Sequence, residues 1–210
     1  MKAAIFDLDG VILSTDDLHY EAWKKIADQE GIYFDREINN RLRGVSRMAS
    51  LEIILENADR EYSLEEKEKL AEEKNGYYRE LLKTITPDAV FDGVRETIDA
   101  LKKKGIRVAI GSSSKNTKFI LKQIGMLEEF DAISDGNNIT HSKPDPEVFL
   151  KAAEMLDIEP EDCVVIEDAI AGIEAAKAGK MRAAAVGDAR KSKLADDCLD
   201  DIRDLLNLFD

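Results

Sequence analysis

The chain has 210 residues, 44% hydrophobic and 35% charged, with a formal net charge of −14; that suits one core with a smaller insert. The negative field argues against nucleic acid or an anionic membrane surface as partner, and it requires any phosphate site to be locally basic. Two distant cysteines, Cys163 and Cys198, exclude a disulfide framework, and without a secretory leader or a membrane-length apolar stretch the expectation is a soluble, cytoplasmic, monomeric protein.

Residues 3 to 10, Ala-Ala-Ile-Phe-Asp-Leu-Asp-Gly, form an apolar run that ends in two carboxylates and a glycine. This pattern predicts a buried parallel strand, whose C-terminal end is where open α/β sheets bind ligands. Alternation would place Asp7 and Asp9 on one side of the chain. Two carboxylates that close repel each other, so one takes up a proton or both find a cation. The functional reading is a Mg²⁺ site with one nucleophilic and one acid/base carboxylate. The plainer reading is a strand end whose aspartates cap the next turn.

From about Asp16 to Leu82 the apolar residues recur at helical spacing: Leu18, Ala22, Trp23, Ile26 and Ala27, then Leu51, Ile54 and Leu55, then Leu64, Leu70, Tyr77, Tyr78 and Leu81. Ser63 followed by Glu66 is a capping-box signature. The block reads as an all-helical insert. Beyond Pro87 and Gly93, strands are predicted near 107–112, 131–134, 163–167 and 183–186. Helices are predicted near 94–104, 116–124, 146–156 and 169–178. Such alternation implies a parallel sheet covered on both faces. Residues 1–14 and 88–210 then form the core domain, and 15–87 the inserted cap, joined by linkers short enough to hinge. Gly172 and the Gly179-Lys180 pair do not have phosphate-loop spacing, and no G-x-G-x-x-G is present.

Three later segments fall at predicted strand ends. Ser112-Ser113-Ser114-Lys115-Asn116 combines hydroxyls, a lysine and a helix start, a combination suited to an anion. Lys143, before a Pro-initiated helix, can neutralise a transferring phosphoryl group. Asp168 is a natural oxygen ligand for Mg²⁺, with Glu167 behind it to orient waters or hold Lys143.

Together the D-x-D-G of residues 7–10, Ser112, the Lys143-Pro144 pair and Glu167-Asp168 resemble the haloacid-dehalogenase-type phosphotransferases, in order and spacing, over essentially the whole chain. The resemblance implies a Rossmann-like three-layer α/β/α core with an α-helical bundle cap. It implies Asp7 as the nucleophile that forms an aspartyl phosphate and Asp9 as general acid/base. Mg²⁺ would be held by the Asp7 side chain, the Asp9 backbone carbonyl and Asp168, with Glu167 beside them. Ser112 and Lys143 would bind the transferring phosphoryl oxygens.

Within that family the chain resembles the mutases that interconvert β-glucose 1-phosphate and glucose 6-phosphate. The matching residues are Thr15 to His19 with Trp23, Leu42 to Arg47 with Ser50, Lys74-Asn75, and Ser114 to Asn116. A mutase must pass its phosphoryl group to a sugar hydroxyl while refusing water, and must hold a second phosphate. Arg47 is a suitable bidentate clamp for that phosphate, shared with Ser114 and Asn116. The resemblance makes Thr15 and His19 a pair that couples cap closure to the acid/base aspartate. Lys74 would reach the sugar hydroxyls or His19, and Gly44, between Arg43 and Val45-Ser46, would admit close backbone approach to the sugar. Ser113 and Lys115 complete the predicted substrate contacts.

Each of these residues has a plainer reading. His19 and Trp23 suit a helical core, Arg47 suits an ion pair with Glu52, and Lys74 among Glu72 and Glu73 suits a solvated face. Asp145 adds charge near Lys143 where small residues are common, and His141 reads as a loop residue. A sugar-phosphate phosphatase of the same architecture and a non-catalytic binding module are the competing functions.

Overall fold

The structure is a computed structural model that describes residues 1–43 and 45–209. In chain order it contains β1 (Ala3–Phe6), α1 (Asp16–Glu30), α2 (Arg36–Asn40), α3 (Arg47–Leu55), α4 (Leu64–Leu82), α5 (Val94–Lys103), β2 (Arg107–Gly111) and α6 (Thr117–Gln123). There follow β3 (Ala132–Ser134), α7 (Glu147–Leu156), β4 (Cys163–Glu167), α8 (Ile170–Ala178), β5 (Arg182–Ala185) and β6 (Asp197–Cys198). The chain forms two compact units. Met1–Ser14 joins the chain from Thr86 onward in one, and Thr15–Ile85 makes up the other.

In the first unit all six strands are parallel, in the order β3-β2-β1-β4-β5-β6. β1 lies at the centre, with Ile5 opposite Ala109 of β2 on one side and Val165 of β4 on the other. Its four residues are fully buried, which is why it reads as a continuous apolar run instead of an alternating one. Consecutive strands leave β1 in opposite directions, through β2 and through β4, so the switch point lies between the ends of β1 and β4. Helix α5 buries Val94, Thr97, Ile98 and Leu101, and α7 buries Val148, Phe149, Ala152, Ala153 and Leu156. Both sets follow the three-and-four spacing of a single apolar face.

The second unit is helical. Helix α1 packs on α4 and α3 on α4, around Trp23, Ile26, Ala27, Leu51, Ile54 and Leu70. Helix α4 begins in the predicted capping box. The Ser63 N–H donates to Glu66 Oε2 at 2.8 Å, and the Glu66 N–H donates to Ser63 Oγ at 3.3 Å. Arg60 adds a hydrogen bond to Glu66, and its charge with the Ser63 donors holds that carboxyl down to about 2. Among the described residues no helix is long and apolar enough to cross a membrane. The two-residue β6 and five-residue α2 add to the elements the sequence predicts; neither is long enough to show a hydrophobic period.

Candidate active site

The ladder of β1 stops at Phe6, two residues sooner than the apolar run suggests. The Asp7 N–H still donates to Ile166 O of β4, at 2.9 Å, which fixes Asp7 at the switch point. The chain then turns tightly, with Ile12 N–H on Leu8 O and Gly10 N–H on Leu13 O. Strand alternation therefore does not govern Asp7 and Asp9; the turn does. Gly10 has φ +83°, and a Cβ there would lie 2.1 Å from Asp168 Oδ2. Only glycine lets the turn close against that carboxylate.

Lys143 is buried between two acids. Its Nζ donates to Asp7 Oδ1 at 2.6 Å and to Glu167 Oε1 at 2.5 Å. The other Glu167 oxygen accepts the Ala169 N–H at 2.8 Å, and a Cβ on Gly172 of α8 would fall 1.9 Å from Glu167 Cδ. Gly172 thus has no part in a phosphate loop; it makes room for Glu167. Burial opposes the Lys143 charge, yet Asp7 and Glu167 outweigh it and hold its pKa above the ordinary lysine value. Burial raises Glu167 against the pull of Lys143. Asp168 is pushed up to about 8, first by burial and then by the charges of Asp7, Glu167 and Asp9.

Oxygens of Asp7, Glu167 and Asp168 all lie within 4.8 Å of one another. Crowded carboxylates of this kind fit a hard, oxygen-seeking divalent cation such as Mg²⁺. The Asp9 carboxylate is not one of the three. A second group, His141, Asp145 and Glu147, is mostly exposed. There Glu147 Oε2 accepts the Thr140 and His141 N–H groups, Oε1 pairs with Lys151, and Asp145 Oδ1 accepts the Glu147 N–H. Asp145 therefore serves the start of α7.

Ser112 follows β2 and is 5% exposed; its N–H donates to Ser134 O of β3. Its Oγ accepts the Ser114 N–H at 3.3 Å, and Ser114 Oγ accepts the Asn116 N–H at 3.2 Å. Ser113 Oγ is buried without a hydrogen-bond partner, and Lys115 is exposed.

The helical unit brings four of its predicted residues, Thr15, His19, Trp23 and Lys74, together with Tyr78. Lys74 is 2% exposed, which overturns the solvated-face reading. Its Nζ lies 2.6 Å from His19 Nδ1, 4.9 Å from the Trp23 ring centroid and 4.6 Å from that of Tyr78. An ammonium only donates, so Nδ1 accepts and the imidazole hydrogen sits on Nε2. Burial, then the Lys74 and Arg47 charges, lower the His19 pKa well below 6.5. Tyr78 stacks on His19 at 4.0 Å and donates its hydroxyl to Thr15 Oγ1 at 2.9 Å. In the sequence Tyr78 shows only as a periodic apolar residue, although its position one helical turn beyond Lys74 places it on the same face.

Trp23 lies in the core of this unit and Ser50 is 4% exposed. Arg47 opens α3 and contacts Glu72 at 3.4 Å; Glu52 pairs with Lys67 instead. Partial burial lowers the Arg47 pKa from its ordinary value. Ser46 caps α3 by accepting the Ala49 N–H, and Val45 is exposed. Gly44 lies outside the described residues.

A family model described as haloacid dehalogenase-like hydrolase matches residues 1–180. The chain is 44% identical, over 93% of its length and 88% of the relative's, to a β-phosphoglucomutase of Bacillus subtilis. It is 35% identical, over 84% of its length and 81% of the relative's, to a phosphorylated carbohydrates phosphatase of Thermotoga maritima. A crystal structure of β-phosphoglucomutase from Clostridium difficile superimposes with a TM-score of 0.91 at 40% identity, covering 98% of this chain and 93% of that one.

Proposed function

The chain belongs to the haloacid dehalogenase-like hydrolases, and from that membership we propose that it interconverts β-D-glucose 1-phosphate and D-glucose 6-phosphate through an aspartyl phosphate and β-glucose 1,6-bisphosphate. The observation that carries the chemistry is Lys143, buried and bridging Asp7 and Glu167 at the switch point of the sheet. A carboxylate attacking an anionic phosphate meets charge repulsion, and a cation fixed beside the nucleophile offsets it.

In this reading Asp7 attacks phosphorus and carries the phosphoryl group. Lys143 and the Ser112 hydroxyl hold the transferring oxygens, and Glu167 keeps Lys143 in place. Asp9 gives a proton to the departing oxygen and takes one from the next acceptor hydroxyl. The Asp7 and Asp168 side chains and the Asp9 backbone carbonyl would hold Mg²⁺, which when bound neutralises the carboxylates and polarises phosphoryl oxygens. Residues 1–14 and 88–210 carry the transfer, and residues 15–87 select a sugar hydroxyl over water. Arg47 supplies a phosphate clamp. Lys74, oriented by His19, Trp23 and Tyr78, meets sugar hydroxyls. The working unit is a cytoplasmic monomer.

A sugar-phosphate phosphatase is the second reading, favoured by the Thermotoga relative. Replacing Lys74 by alanine separates the two. Loss of a charged hydrogen-bond donor should lower mutase turnover roughly 10- to 100-fold and shift product toward free phosphate. Unchanged turnover would remove Lys74 from the account.

A further inference from the structure

A loop that binds phosphate must present donors and turn its carbonyl oxygens elsewhere. In the Ser112–Asn116 loop the Ser112 and Ser114 hydroxyl oxygens accept backbone N–H groups, so each hydroxyl keeps its own hydrogen to donate. Two carbonyls of the loop are engaged by other residues. Ser114 O accepts the Gly136 N–H at 3.1 Å and the Thr117 hydroxyl at 2.8 Å, and Lys115 O accepts Asn137 Nδ2 at 3.0 Å.

The turn that follows β3 is itself fixed. Asp135, 3% exposed, accepts both the Asn137 N–H at 2.9 Å and Asn137 Nδ2 at 3.0 Å on its Oδ1. The Asp135 N–H donates to Asn138 Oδ1 at 2.7 Å. Both neighbours of the Asn137 amide nitrogen are acceptors, so the amide has one satisfactory orientation and uses both of its hydrogens. The approach is close: a Cβ on Gly136 would lie 2.3 Å from Ser113 O.

We infer that Asn137 is a positioning residue for phosphate binding, holding the Lys115 carbonyl toward the β3 turn so that the loop presents donors to an anion. The inference rests on the phosphoryl-transfer reading for its choice of ligand. Asn137 touches neither substrate nor reacting atoms in this account and acts through the loop backbone. Asp135 orients it, and Gly136 makes the parallel contact one residue earlier. Asn137 is exposed, so shortening it removes no core packing.

The test is Asn137→Ala and Asn137→Asp, read by steady-state kinetics with β-glucose 1-phosphate, by calorimetric titration with inorganic phosphate, and by thermal melting. Removing a uniform binding contribution raises KM and leaves kcat alone. The alanine variant should raise KM roughly 3- to 10-fold, the worth of one hydrogen bond, and weaken inorganic phosphate by a similar factor. Asn137→Asp, which places an acceptor opposite Lys115 O, should be worse than alanine. KM and phosphate affinity unchanged within about twofold, or a fall in kcat and melting temperature with KM constant, would overturn the inference. If the parent turns over no sugar phosphate, the functional reading fails, and the phosphate titration alone still decides the role of Asn137.

Discussion

Replacing Lys143 by methionine keeps the length of the side chain and removes its charge. In the parent the ammonium lies 2.6 Å from Asp7 and 2.5 Å from Glu167, with all three side chains at most 10% exposed. At an effective dielectric near 20, each contact represents about 6 kcal/mol of Coulomb attraction before desolvation is counted. Desolvating three ions cancels much of that. The variant keeps the desolvation of Asp7 and Glu167 and loses the attraction, leaving three carboxylates within 4.8 Å. Removing one partner of a buried pair costs about 3–5 kcal/mol. In a chain of this size each kcal/mol moves the melting temperature by about 2–4 °C, so calorimetry in chelator should show a fall of about 6–20 °C. Turnover should fall about 100- to 1,000-fold, as for loss of one preorganised donor to a developing charge. Adding Glu167→Gln should restore part of the lost stability, because it removes a carboxylate left unpaired, and the two changes should not be additive. A fall below about 3 °C, or additive losses in the double variant, would mean that Lys143 does not hold the two acids in the folded chain.

Two further expectations use other parts of the molecule. Glycine to alanine inside a helix ordinarily stabilises by about 1 kcal/mol. At Gly172, however, the new Cβ would lie 1.9 Å from Glu167 Cδ, so Gly172→Ala should destabilise by about 1–3 kcal/mol and reduce turnover; a raised melting temperature would contradict the packing argument. His19 should be neutral at pH 6.5 with its hydrogen on Nε2, as read by ¹⁵N NMR. Its folded-state pKa lies below the ordinary 6.5, so below that pH the unfolded chain binds a proton that the folded chain does not, and stability drops as the pH is lowered through that range. His19→Gln should flatten that slope. A His19 midpoint at or above 6.5 would remove the Lys74 contact from the account.

The core of the candidate site was legible because its residues end an apolar run or precede a helix. Asp7, Ser112 and Glu167-Asp168 lie where parallel strands stop, and strand order then brings β1 and β4 side by side. Lys74 was harder to read. Leu70, Lys74 and Tyr78 form a stripe at i, i+4 and i+8, a spacing that signals burial, but a lysine next to two glutamates suggests solvent. Its burial depends on α1 supplying Trp23 and His19, a tertiary fact. The Glu72 partner of Arg47 is hidden in the sequence for the same reason, because it takes the packing of α3 against α4 to bring the two within reach. The Asn137 contact with Lys115 needs β2 and β3 to be neighbours before it can be seen at all.

The most direct test follows phosphorus by NMR in a mixture of the protein, Mg²⁺, β-glucose 1-phosphate and a trace of the 1,6-bisphosphate. The expected result is conversion to glucose 6-phosphate with no accumulation of free phosphate. Free phosphate as the main product would contradict it, and would mean that Lys74, His19 and Arg47 do not favour the sugar hydroxyl over water.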